Sequence, residues 1–254
     1  MIHRSRRIGL IWALRAIPLI AMFVAWWYAA GVGGVSPLLV PKIGDVGSQL
    51  VDLVTTASFW SDVEVTLFEI IIAAVMATAA GFGIGFWASR RRVRSGATEI
   101  LLAWCYLAPL VVFYPLFVLW FGIGVWSKII YATVSGTLPI AYNTVRGFRS
   151  IDPKLTRVGV AFGASPLQLD WHVKFGAALP MVLAGIRIGM AGVVITVTLA
   201  EMLSADRGVG YELSQSSQLF DVARSYALIV MLLLMVGILQ EIIHRLTRQR
   251  GVPT

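Results

Sequence analysis

The 254-residue chain is 58% hydrophobic and only 13% charged, with a mean hydropathy of +0.81. That is too apolar and too weakly charged for an ordinary soluble domain, so a polytopic all-α membrane protein is expected. The net charge is +8, but the 21 Lys and Arg side chains fall in short clusters between apolar runs. Such clusters set membrane topology and do not form the continuous basic face or arm that nucleic acid requires, so lipid is an expected partner and nucleic acid is not. Cys105 is the single cysteine, which excludes an intramolecular disulfide; inside an apolar run it reads as a small packing residue.

A helix needs about 20 apolar residues, at about 1.5 Å each, to cross the hydrocarbon core. Six stretches qualify: Ile8–Ala30, Val63–Ala88, Thr98–Phe121, Trp126–Thr144, Ala177–Leu203 and Val222–Ile243. The first has the basic front of a secretory signal, but its apolar run exceeds signal length and no small-x-small cleavage pattern precedes Gly31, so it reads as a span. With the N-terminus inside, sixteen of the Lys and Arg residues fall on the cytoplasmic side, grouped near Arg4, Arg90, Arg146 and Arg245. The opposite side then holds Lys42, Lys128, Arg207 and Arg224 beside most of the soluble acids, among them Asp45, Asp62, Asp206 and Glu212. Both termini are therefore expected in the cytoplasm. No internal repeat or linker divides the chain, which reads as one domain over residues 1–254.

The cytoplasmic stretch 151–175, "IDPKLTRVGVAFGASPLQLDWHVKF", is polar and carries helix punctuation. Asp152 and Pro153 supply an N-cap and a first-turn proline, and Leu155, Val158 and Phe162 follow at i, i+3, i+7. Gly163 stands where a left-handed C-terminal cap belongs, and Ser165, Pro166 and Gln168 form a second start with a capping box. The pattern predicts two short helices joined at Gly163–Ala164. Two uses fit it equally from the residues alone: an interfacial helix pair on lipid headgroups, or a docking element for a soluble partner.

This segment resembles the cytoplasmic "EAA" loop of permease subunits of ATP-binding-cassette importers, in the nitrate, sulfonate and taurine branch. The loop there reads Glu-Ala-Ala, three residues, then Gly, usually with Ala-Ser after it and Leu-Pro further on. Here Arg157-Val158-Gly159 is followed by Gly163-Ala164-Ser165, Leu179-Pro180 and Gly185-Ile186-Arg187. Arg157 departs from the usual Glu, while the caps that set the helix-turn-helix shape are independent of it. Further likeness lies in "APLVVFYPLFVLWFGIGVWSKII" (Ala108–Ile130), "LAEMLSADRGVGYEL" (Leu199–Leu213) and "LLVPKIGDV" (Leu38–Val46), in the family's order. The resemblance implies a type I importer permease fold with six transmembrane helices and a coupling helix, in a bacterial inner membrane. It also implies two ATPase subunits beneath, a second permease copy, most simply a homodimer, and an extracytoplasmic binding protein above. ATP and Mg would belong to the ATPase partner; no cofactor is expected on this chain. Leu155, Val158, Phe162, Gly163, Ala164 and Ser165 would form the ATPase contact, and the solute would be a small anion such as a sulfonate, taurine, nitrate or bicarbonate.

The chain itself carries no P-loop, since the Gly-rich "GFGIGFWASRR" lacks the lysine. His3, His172 and His244 lie at cytoplasmic edges without acid or Cys partners, so neither a metal site nor a catalytic cluster is expected. Ala73, Ala77, Gly81 and Gly85 make a small-residue stripe that reads as packing. The fifth span is the expected pathway helix: Pro180, Gly185, Gly189 and Gly192 permit bending and close approach, and Thr196 and Thr198 supply hydroxyls at depth. Glu201 is a candidate for the outer gate, and Glu69 reads as structural. Arg187 either snorkels or attracts an anion leaving inward. The rival is an ion-coupled secondary carrier without an ATPase; it would place charge at the midplane and use broken helices in paired repeats. Pro109, Pro115 and Pro139 are helix-breaking positions, but no paired repeat accompanies them.

Overall fold

The computed structural model describes residues 17–248 apart from 19, 22, 32 and 91, and among these all regular structure is helical. The first half of the expected span 8–30 lies outside the described residues; residues 23–31 are helical. The helices that follow are α1 (Ile43–Thr55), α2 (Ala57–Ser89), α3 (Arg92–Leu107), a 3-10 turn (Leu110–Phe113), α4 (Tyr114–Phe121), α5 (Val125–Arg149) and α6 (Pro153–Ala161). A turn at Pro166–Gln168 and a π-helical stretch Leu169–Lys174 lead into α7 (Phe175–Ser204), followed by α8 (Val209–Gln218) and α9 (Val222–Arg248).

Three helical stretches among the described residues are long and apolar enough to cross a membrane: Ala57–Ser89, Leu169–Ser204 and Val222–Ile243. A fourth is obtained if Gly96–Leu107 and Leu110–Phe121 are taken together, and these are bent by 75° at their junction. The expected span Thr98–Phe121 is thus broken at Pro109, one of the helix-breaking positions named from the sequence, because Pro109 has no N–H to donate and biases Ala108 away from the helical region. The expected span Trp126–Thr144 lies inside α5, which carries Lys128, Thr133, Ser135, Thr137 and Asn143 and is buried along more than half its length. A helix enclosed by other helices does not need the apolarity that lipid contact demands.

The chain divides into two compact units. In the first, described up to Phe59 and again over Leu213–Met231, Trp26 Nε1 donates to Pro41 O at 3.0 Å and Tyr226 OH donates to Leu39 O at 3.1 Å. The Trp26 and Tyr226 rings lie 5.6 Å apart, so the chain after residue 31 folds back onto two aromatic anchors. This unit also holds helix α1, for which the sequence reading assigns no element.

The second unit, Trp60–Glu212 with the described residues from Leu232, is organised around α5. Its core joins Ile70, Ala73, Ala74 and Ala77 of α2 to Ile129, Ala132 and Ile140 of α5 and Val193, Val194 and Val197 of α7. Gly136 marks where the three helices meet: a Cβ there would lie 2.6 Å from Val193 Cγ2 and 2.9 Å from Ala77 Cβ. The small-residue stripe of α2 is used as expected, with Gly85 so close that a Cβ would stand 2.5 Å from Thr144 Cβ. Such backbone approach multiplies dispersion contacts where lipid offers no hydrophobic driving force. Pro139 does not break α5 but lies inside it; neighbours packed on both sides hold the helix, and Asn143 Nδ2 donates to Pro139 O at 2.8 Å.

Candidate functional site

α7 runs between two polar regions, one at its start and one at Glu201, roughly 40 Å apart at about 1.5 Å per residue. At the start, Asp152 accepts a hydrogen bond from Lys154 N at 2.8 Å and Pro153 occupies the first turn of α6. Phe162 closes the helix as its C-cap, one residue earlier than the sequence pattern suggests. Gly163 has φ +77°, its N–H donates to Val160 O at 2.9 Å, and Ala164 N donates to Gly159 O at 3.1 Å. This paired arrangement is the Schellman cap, and it needs the left-handed conformation that glycine adopts without steric cost. Ser165 and Gln168 then bond reciprocally, Gln168 Oε1 accepting from Ser165 N at 2.8 Å and Ser165 Oγ from Gln168 N at 3.3 Å.

The second half of the segment is not a separate short helix. It continues through the π-helical stretch directly into α7, because nothing after Gln168 terminates it: no Gly or Pro occurs between Leu169 and Phe175. α6 therefore hangs from one end of a helix 36 residues long. Its inner side, Thr156 and Gly159, faces the π-helical stretch, where a Cβ on Gly159 would collide with the Leu169 side chain. Leu155, Val158 and Phe162 all point outward, Phe162 with 87% of its surface exposed.

The π-helical stretch is stapled to the end of α2. Asp170 accepts from Arg90 Nε and Nη2, each at 3.1 Å, and from Lys174 Nζ at 2.7 Å. Phe86 packs against Phe148 at 5.4 Å and Trp171 at 5.9 Å, and Phe175 against Trp171 at 5.6 Å and Phe82 at 5.8 Å. Aromatic pairs at these separations add to plain area burial. The sequence reading did not find this staple, whose signal is the alignment of aromatic residues at 82, 86, 171 and 175 at helical spacing.

At the far end of α7, Glu201 is fully buried. Its Oε1 accepts from Thr66 Oγ1 at 2.7 Å and its Oε2 from Gly210 N at 2.8 Å. Thr66 Oγ1 accepts in turn from Val209 N at 3.0 Å, and Asp62 Oδ1 from Gly208 N at 2.9 Å. Gly208 has φ +112°, and a Cβ there would collide with the Glu201 carboxylate. The "RGVG" sequence is thus a backbone cradle closed around one side chain. One turn further along α2, Glu69 is paired with Lys128 of α5 at 2.5 Å, with both side chains buried. Lys128 does not lie free in an outer loop; it neutralises Glu69 inside the helix bundle. A carboxylate placed in an apolar helix demands such a partner, and Lys128 supplies it.

The remaining pathway candidates on α7 are distributed over different surroundings. Gly189 is buried where α7 crosses α5, a Cβ lying 2.7 Å from Gly136 O. Thr196 is buried and donates to Ser135 Oγ at 2.9 Å, while Thr198 donates to Val194 O of its own helix at 3.0 Å. Arg187 is half-buried near the start of the helix. The outward stripe of α7 is Ile188, Ile195, Leu199 and Leu203. Among the described residues, no group of three or more His, Cys, Asp or Glu side chains is arranged to hold a metal ion.

Residues 78–250 match the family model described as binding-protein-dependent transport system inner membrane component. The taurine transport system permease protein TauC of Escherichia coli strain K12 is 28% identical over 225 residues, covering 84% of this chain and 82% of that protein. The formylaminopyrimidine transport permease protein ThiX of Halalkalibacterium halodurans is 29% identical, covering 86% of each. A putative aliphatic sulfonates transport permease protein SsuC of Bacillus subtilis strain 168 is 25% identical, covering 93% of this chain and 86% of its own. Among solved structures, an inward-facing form of the MetNI methionine ABC transporter superposes with a TM-score of 0.66 at 19% identity, covering 77% of this chain and 97% of that one. A second inward-facing MetNI form gives a TM-score of 0.62 at 21% identity.

Proposed function

Since the chain belongs to the family of binding-protein-dependent transport system inner membrane components, the ABC-importer permeases, we propose that it forms the translocation path for a small anionic solute and is driven through α6. It is a single permease domain with six spans and both termini in the cytoplasm, paired with a second permease copy, two ATPase subunits beneath and an extracytoplasmic binding protein above. ATP and Mg reside on the ATPase. Permeases of taurine and sulfonate systems among the similar proteins favour a sulfonate-type anion.

The observation that carries this reading is the exposed apolar face of Leu155, Val158 and Phe162 on a helix whose two ends are closed by its own caps. A helix satisfied at both ends and still presenting a phenyl ring to the outside suits the helix-in-groove mode of docking. Its mechanical connection supports the same conclusion. α6 is joined by the short Gly163 turn to a helix that runs unbroken from Pro166 into α7, and the Asp170 and aromatic staple ties the start of that helix to α2, so displacement of α6 by a closing ATPase tilts both long helices together. At the other end, the Glu201 cradle joins α7, α2 and the 205–210 loop into one unit, which makes it the outer gate's hinge point.

The test is a tagged pull-down from mild detergent after co-expression with the neighbouring genes, repeated with Phe162→Asp. An ATPase retained by the unaltered chain and lost from the variant is the expected result. No ATPase in either sample, or equal capture by both, would overturn the assignment of α6 as the ATPase contact.

A further inference from the structure

A groove of about 1050 Å³ opens between α6, the ends of α2 and α5, and the π-helical stretch. That is at the upper end of the roughly 300–1,000 Å³ of small-molecule sites. Its walls combine two chemistries. Arg90, Arg149, Arg157 and Lys174 bring positive charge, and Phe86, Phe148, Ile151, Val160 and Leu169 bring apolar surface.

The charges do not cancel. Arg90 and Lys174 share one carboxylate, Asp170, and Arg149 is paired with Glu99. The Arg157 side chain has no ion pair or hydrogen bond among the described residues. Two positive charges are therefore uncompensated around a concave surface. Arg90 is also fixed in advance: Asp170 holds its guanidinium edge, and its centre lies 5.6 Å from the Phe86 ring. A guanidinium whose orientation is already set loses less freedom on gripping an anion, and its forked donors match phosphate oxygens. Solvated surface cations would neither converge on an aromatic floor nor be oriented beforehand.

We propose that this groove binds a phosphate-bearing anion between α6 and the ends of the long helices, supplied either by an anionic phospholipid headgroup or by a soluble phosphate compound. Basic pockets between the cytoplasmic ends of membrane helices are suited to such headgroups, and the apolar wall accommodates the start of an acyl chain. Because the groove borders Thr156, Arg157 and Val160 on α6, its occupant bridges the docking helix to the spans and stiffens the joint between them. The lipid source uses the membrane orientation proposed above; the anion site itself needs only the groove.

The experiment uses the full chain, purified in detergent and equilibrated with mixed micelles of equal phosphatidylglycerol and phosphatidylcholine, with retained lipid read by native mass spectrometry. Preference for phosphatidylglycerol of about tenfold, falling to parity in Arg157→Glu, identifies the headgroup. A rise in melting temperature with inorganic phosphate in lipid-free detergent, absent from Arg157→Glu and without lipid preference, identifies the soluble source. Arg157→Gln serves where Arg157→Glu does not fold, and Arg157→Lys should retain most of either signal. Absence of both signals from the unaltered chain, or their survival in Arg157→Glu and Arg157→Gln, overturns the proposal. Neither readout involves an ATPase, so its failure is distinct from failure of the transport reading.

Discussion

The two ends of α7 treat charge in opposite ways. At Glu201 the ionisable groups are buried and partnered: Glu201 accepts from Thr66 and the backbone of Gly210, and Glu69 is paired with Lys128. At the α6 end the side chains of Arg90 and Arg149 stand about half exposed, charge is in excess, and large apolar side chains face outward beside it. Buried, partnered charge gives one end a geometry that is costly to disturb. The other end keeps an exposed surface with positive charge in excess, the feature on which both proposals rest.

The largest effect should come from Lys128→Met, which leaves the Glu69 carboxylate buried without its cation and should destabilise the protein by about 3–5 kcal/mol. Adding Glu69→Leu should recover most of that loss, measured as reversible unfolding in mixed micelles; no recovery would show that Lys128 matters for another reason. Glu201→Ala comes next at about 2–3 kcal/mol, because the Thr66 hydroxyl and the Gly210 N–H lose their acceptor in a dry site. Hydrogen exchange should rise at residues 208–210 in that variant and stay unchanged around α6.

Gly163→Ala should cost about 1 kcal/mol, the ordinary penalty of a side chain in the left-handed region, and should fray only the end of α6. Phe162→Asp should change stability by less than about 0.5 kcal/mol, since the ring touches little in the isolated chain. ATPase capture by that variant should nonetheless fall at least tenfold, as roughly expected for loss of an aromatic anchor. A large stability loss in Phe162→Asp would erase the contrast between the two ends.

Much of the α6 region was legible in the sequence because its determinants are local. Asp152, Pro153, Gly163, Ser165 and Gln168 each act on backbone groups within a few residues, so reading them in order yields the helix and its turn. Continuation of the second half into α7 was missed for the same reason: a capping box announces a helix start, and only the absence of a stop signal before Phe175 tells how far it runs. The Glu201 region was legible only as isolated residues. Glu69 and Lys128 are 59 positions apart and Thr66 and Glu201 are 135 apart, so no local pattern links them.

From composition, apolar run lengths, basic clusters and caps, the chain alone determined that it is helical, enters the membrane repeatedly and carries a short helix capped at both ends between two of its long helices. Those properties depend on the rise of one helix, on the cost of placing charge in hydrocarbon and on backbone groups near their caps. Packing in three dimensions decided that α5 is central and tolerates lysine, threonine and proline, that α3 and α4 bend apart at Pro109, and that Glu201 closes a glycine cradle. It also decided that four cations converge beneath α6. Each of these is a meeting of residues from separate helices, and the direction of a side chain toward a distant partner is set by how the helices cross.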